Sequence, residues 1–139
     1  FRIILPSDVP IAALLEDSYD LTATLSGDPM ARVIRADKAL EHKAPAEGSS
    51  YTVAVQDEIL TETSGVFQVS NHKGAVSVKK LPEGSPADIT LDIRVLAQLL
   101  LGYLSLEEAL YKPGVTLSSN RETLESVFSK KAVFLTEYF

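Results

Sequence analysis

The stretch from Ala87 to Phe128, ADITLDIRVLAQLLLGYLSLEEALYKPGVTLSSNRETLESVF, decides the fold. Ile89, Leu91 and Ile93 alternate with Thr90 and Asp92, which predicts a half-buried strand over 89–93. The period then changes from two to 3.6. Val95, Leu96, Leu99 and Leu100 recur at helical spacing and Leu101 widens the stripe, predicting an almost wholly buried helix that stops at Gly102. Ser105-Leu106-Glu107-Glu108 has the form of a capping box, in which Ser105 accepts a backbone N–H three residues on and Glu108 reaches back. Leu106, Ala109 and Leu110 then face inward until Pro113-Gly114 ends the turn. Ser119-Asn120-Arg121-Glu122 reads as a second capping box, opening a helix with Leu124, Val127 and Phe128 on one side.

Upstream of this stretch the periodicity is that of strands. Tyr51, Val53 and Val55 alternate with Thr52, Ala54 and Gln56, and two further strands, Val66–Ser70 and Ala75–Lys79, flank a hairpin turn at Asn71-His72-Lys73-Gly74. Short turns between successive strands predict an antiparallel meander covered on one face. Ala31-Arg32-Val33-Ile34-Arg35 suits another strand, and Asp37 is placed to cap a short helix through Ala39, Leu40 and Glu41. Strands followed by helices give an α+β fold: one antiparallel sheet with helices packed on one face.

Residues 1–29 carry mixed signals. Phe1–Leu5 suits a short strand closed by Pro6, Ser7-Asp8-Val9-Pro10 looks like a helix start, and Leu21–Leu25 suits a strand. Ser26-Gly27-Asp28-Pro29 reads as a loop and marks a boundary between residues 1–29 and a domain over 30–139.

Composition narrows the chemistry. The chain has 139 residues and a net charge of −6, enough length for one core without staples. It has no cysteine, which excludes disulfides, thiolate catalysis and thiolate-ligated metal. Its histidines, His42 and His72, make a poor metal set, and the acidic balance disfavours nucleic acid. The apolar run Val95–Leu104 is about half the ~20 residues that a membrane span needs. Phe1–Leu5 resembles a short strand more than a signal peptide, and the chain starts with Phe rather than Met, so it is expected to be a piece of a longer polypeptide.

Individual polar residues read mostly as structural. Glu107 and Glu108 are adjacent, point apart on a helix and cannot form a carboxylate dyad. His72 falls in a solvated turn, and Ser118-Ser119 lacks a nucleophile elbow, with Ser119 assigned to capping. Lys79-Lys80 and Lys130-Lys131 are read as solvated pairs that guard strand edges. The helix over 93–101 has two readings: plain core, or a wall of a lipid tunnel lined by Leu96, Leu99, Leu100 and Tyr103.

The order of elements from Ala87 to Phe128 resembles the sterol-carrier-protein fold: strand, apolar helix ending Gly102-x-x-Ser105, second helix, small-residue turn, last helix. Met30–Leu40 (MARVIRADKAL), with the terminal Thr136-Glu137-Tyr138-Phe139, resembles the C-terminal domain of Eis-type (enhanced intracellular survival) GNAT acetyltransferases. The likeness covers residues 30–139. It implies that residues 1–29 are the end of a preceding acetyltransferase-like domain and a linker, and that upstream domains of the same polypeptide do the chemistry. It implies acetyl-CoA as co-substrate of the full-length protein, a primary amine as acceptor, a homo-oligomer (a hexamer) and a cytoplasmic location. It further implies a role for the C-terminal carboxylate of Phe139 at the catalytic site, although Tyr138 and Phe139 equally suit closing a strand edge. The chain holds no Arg/Gln-x-x-Gly-x-Gly/Ala loop for the coenzyme A pyrophosphate, so no cofactor is expected on this segment alone. The other expectation is a free-standing carrier for a sterol, fatty acid or acyl-CoA.

Overall fold

The computed structural model describes residue 5 and residues 9–17, 20–24 and 30–131. The chain divides into two compact units, and residues 31–131 make up the larger. In the smaller unit a one-turn helix, α1 (Ile11–Leu14), follows Pro10, as the Pro near its start predicts. The expected strand over Leu21–Leu25 is not formed at residues 21–24, and most of Phe1–Leu5 lies outside the described residues.

The larger unit is α+β. Helix α2 (Ala36–Leu40) precedes β1 (Ser50–Gln56), β2 (Gly65–His72), β3 (Ala75–Leu81) and β4 (Ile89–Asp92). Helix α3 (Ile93–Leu101), helix α4 (Leu106–Leu110), the short strand β5 (Thr116–Leu117) and helix α5 (Arg121–Val127) complete it. The strands form one sheet in the order β3-β2-β1-β4-β5. Tyr51, Val53 and Val55 of β1 and Ile89 and Leu91 of β4 are buried, so the pleat turns one face to the core. Helix α2 packs toward β3, α3 against β1 and β4, and α5 against β1.

The pairing corrects the meander expectation at one place. β1–β2, β2–β3 and β4–β5 are antiparallel, but β1 and β4 run parallel, with Val53 opposite Ile89 and Gln56 opposite Asp92. Strand periodicity reports which side chains face inward and is silent about which strand lies alongside. The connector 82–88 must span three strand spacings of ~4.8 Å, and its residues reach ~3.3 Å each, so the crossing is easily made. Asp88 secures the landing. Its N–H donates to the Thr52 carbonyl (2.9 Å), and its carboxylate accepts the Thr52 N–H (2.7 Å) and the Ser119 hydroxyl.

Other expectations change in detail. Residues 31–35 form no strand, and Asp37 lies inside α2 rather than capping it, with its carboxylate gripped by Arg35. That contact holds Asp37 down at a pKa of about 2. The β2–β3 turn is the two-residue Lys73-Gly74, both at positive φ (52° and 81°), and His72 pairs with Ala75 as the last residue of β2. Both positive φ values mark a type I′ turn, whose twist matches the flanking strands. Ile93 begins α3 instead of ending β4, because Asp92 caps the helix by accepting the Arg94 N–H. The Ser105–Glu108 capping box forms as read. The Ser119 box does not: Asn120, in the left-handed region at φ 56°, is the residue flanking the start of α5, and the Ser119 hydroxyl donates to Asp88.

The core brings Leu96, Leu99, Leu106 and Leu124 together with the β1 and β4 side chains. Tyr51 and Phe128 meet edge to face at 5.8 Å, and the Tyr51 hydroxyl donates to the Lys43 carbonyl (2.9 Å). Burial pushes the Tyr51 phenol well above its ordinary pKa. The Leu99 side chain is fully enclosed, so Leu99→Ala is expected to cost about 2–5 kcal/mol, read as a lower denaturation midpoint with an unchanged slope.

Candidate functional site

Helix α3 has two apolar sides because nearly every residue after Arg94 is apolar. One side, with Leu96 and Leu99, is sealed against the sheet at 0% exposure. The other carries Ala97, Leu100 and Leu101 and forms the floor of an open groove of about 430 Å³. The irregular segment 31–35 makes one wall, and Ala39, His42 and Lys43, at and just beyond α2, make the rest. Ile34 and Leu101 stand out at its rim, 68% and 51% exposed.

A buried carboxylate holds the wall in place. The Asp57 side chain is only 1% exposed and accepts two bonds from Arg32 Nη2, at 2.9 and 2.8 Å. It also accepts the Ile59 and Leu60 N–H groups and the Thr63 hydroxyl (2.6 Å). The Thr63 hydroxyl foremost, then the two N–H groups and Arg32, hold Asp57 far below the usual carboxylate range, against burial acting the other way. Arg32 thereby ties an irregular segment to the end of β1, which explains how it keeps its place without ladder bonds to these five strands.

The basic groups at the groove differ in their partners. Arg32 and Arg35 are spoken for by Asp57 and Asp37. Lys43 forms no ion pair among the described residues; its ammonium lies 5.9 Å from the centre of the Phe128 ring. Burial, and then the nearby positive charge of Lys131, lower the Lys43 pKa. Lys131 is anchored by its N–H to the Gly102 carbonyl (2.8 Å), just beyond Leu101. Gly102 itself is at φ 78°, and a Cβ there would sit 3.1 Å from the Lys131 backbone nitrogen, so the approach requires glycine.

The expected tunnel residues separate. Leu96 and Leu99 are core, Leu100 lines the groove, and Tyr103 is 57% exposed away from its lining. Phe139 lies outside the described residues. His72 is exposed at the end of β2. Glu108 is a cap as read and also accepts a bond from Lys130 (2.6 Å), the main cause of its lowered pKa. The lysine pairs do more than shield edges. Lys80 donates to the Ser64 carbonyl (2.7 Å) and lies over Phe67, while Lys130 ties the end of α5 to α4. Among the described residues no cluster of His, Cys, Asp or Glu could hold a metal ion, and no helix is long and apolar enough to cross a membrane. What the described lining offers is apolar area beside Arg32, Arg35, His42 and Lys43.

The Arg32–Asp57 contact went unread in the sequence because its partners are 25 positions apart. The available local signal was Asp57 two and three residues ahead of Ile59 and Leu60, an Asx-turn arrangement.

Residues 31–136 match the family model described as sterol carrier protein domain. No curated protein sequence matches the chain. Among solved structures, Eis1 from Mycobacterium abscessus aligns with a TM-score of 0.59 at 22% identity, covering 73% of this chain and 25% of that one. A GCN5-related N-acetyltransferase from Kribbella flavida aligns with a TM-score of 0.63 at 21% identity, covering 97% and 35%. Another from Anabaena variabilis gives 0.58 at 24%, covering 73% and 26%. At these identities the likeness is one of fold, and the chain spans between 25% and 35% of the length of these three proteins.

The depressed Asp57 pKa gives a signed pH dependence. The contribution of this carboxylate is complete above about pH 4 and is lost as pH falls toward its lower folded value. Asp57→Asn should lower stability at neutral pH and flatten the loss between about pH 4 and pH 2, as measured by urea denaturation across that range.

Proposed function

The chain belongs to the sterol carrier protein domain family, and we propose that it works as one module of a multidomain N-acetyltransferase that moves an acetyl group from acetyl-CoA to a primary amine. One observation carries this reading: the same fold makes up 26% and 35% of two GCN5-related N-acetyltransferase chains, with most of each lying outside the match. In the proposal, residues 30–139 are the terminal module, and residues 1–29 lead into it from the domain before. Acetyl-CoA is held by that upstream part. This module shapes the acceptor side and helps build a homo-oligomer, a hexamer by family resemblance, in the cytoplasm.

The proposed chemical contribution of the module is the α-carboxylate of Phe139. An α-carboxylate with a pKa of about 3.5 is ionised at neutral pH and can hold an ammonium by charge and hydrogen bonding. It accepts a proton effectively only where burial raises that pKa. Its first duty is therefore to position the amine. The net charge of −6 agrees with a cationic acceptor.

A second reading, a carrier of a sterol, fatty acid or acyl-CoA, is favoured by the apolar groove. Of the four expected lining residues only Leu100 reaches it, because Leu96 and Leu99 fill the space between helix and sheet.

Removing Phe139 from the full-length polypeptide tests the first reading. The acetylation rate is expected to fall by about 10²-fold or more, with acetyl-CoA binding retained. An undiminished rate refutes the carboxylate role. A lipid that co-purifies stoichiometrically in native mass spectrometry favours the carrier.

A further inference from the structure

The groove beside α3 is more selective than an apolar depression. The chain has 19 acidic residues against 13 Lys and Arg, yet among the described residues no Asp or Glu lines this groove, while Arg32, Arg35 and Lys43 do. Two of those cations are neutralised by their own carboxylates. The third, Lys43, has no such partner among the described residues, and the Lys131 backbone, bonded to the Gly102 carbonyl just beyond Leu101, brings a second lysine to that end of α3. A cation without a carboxylate partner at the end of an apolar floor, with a second lysine close in the fold, favours a bound anion.

Shape narrows the occupant. The groove, about 430 Å³, falls within the ~300–1,000 Å³ range of small-ligand pockets, but it is an open trough. Small-molecule sites enclose most of their ligand. Here Ile34 and Leu101 project outward at the rim, more than half exposed, where a ligand confined to the trough leaves them wet. A protein segment seated in the groove brings its own body over the rim and covers them.

We propose that this groove binds a protein segment in which an aspartate or glutamate is flanked by apolar side chains. The apolar residues lie on Ala97, Leu100 and Leu101, and the carboxylate accepts bonds from Lys43 and Lys131. Such a segment reads the groove through two independent features: charge at one end and apolar area along the floor. This holds whether or not the chain serves an acetyltransferase.

The test is an NMR titration of the isotopically labelled full chain with acetyl-Leu-Glu-Leu-Phe-amide and with its Gln analogue. The expected result is a shift of the α3 and Lys43 amide resonances by the Glu peptide, with the Gln peptide at least ~10-fold weaker. Lys43→Gln and Lys131→Gln, both at exposed or half-buried positions, should abolish that preference while leaving the amide spectrum of the sheet unchanged. Equal affinity for the two peptides overturns the charge recognition. Absence of shifts with either peptide overturns the site. Dodecanoate binding that shifts the same resonances more strongly than the Glu peptide overturns the protein occupant in favour of a lipid.

Discussion

The architecture turns on the attachment of β4 beside β1. Asp88 makes it: its backbone and carboxylate both engage Thr52, and its carbonyl accepts the Ser118 and Ser119 N–H groups. One residue thus fixes the register of the parallel pair, seats β5 on the outer edge and brings in the start of α5. Because α3 follows β4 without a linker, the position of β4 also sets where α3 lies over the sheet. The groove exists on the far side of α3 because the near side is already committed to the core.

A second carboxylate does for the groove wall what Asp88 does for the sheet. Asp57 satisfies its buried charge with Arg32, two backbone N–H groups and a hydroxyl, so the segment 31–35 is held in place without joining the ladder. Isolated surface ion pairs such as Lys38–Glu41 add little by comparison. The two anchors divide the labour: one assembles the helix–sheet sandwich, and the other shapes its outer surface.

Much of this was legible in the sequence where the determinants are local. The change from strand to helix period after Leu91, the stop at Gly102 and the Ser105–Glu108 box are set by residues within a few positions of one another; the last two appear as read, and the first is displaced by one residue. Local readings slip by a residue or so, as where Asp92 caps α3 and takes Ile93 from the strand, but the larger failures are non-local. β1–β4 pairing depends on residues 36 apart, Thr52 and Asp88, and the alternation of Ile89 and Leu91 suits either neighbour. Ser119 has the spacing of a cap, but Asp88 offers its hydroxyl a charged acceptor and wins it. Ala31–Arg35 has strand-like alternation but finds no place among the five strands; Arg32 is drawn to a carboxylate. The width of the apolar stripe of α3 is plain in the sequence, yet which of its residues face the core and which face the groove depends on the angle at which the helix meets the sheet, which periodicity does not encode.

The proposal that this domain is a module of a larger acyl-transferring polypeptide is tested most directly by assaying the full-length protein for release of free coenzyme A from acetyl-CoA in the presence of a panel of primary amines. The account predicts amine-dependent thiol release with acetylated amine as the product. Release of no thiol with any amine, from a folded protein whose sequence has no further domain, would contradict it.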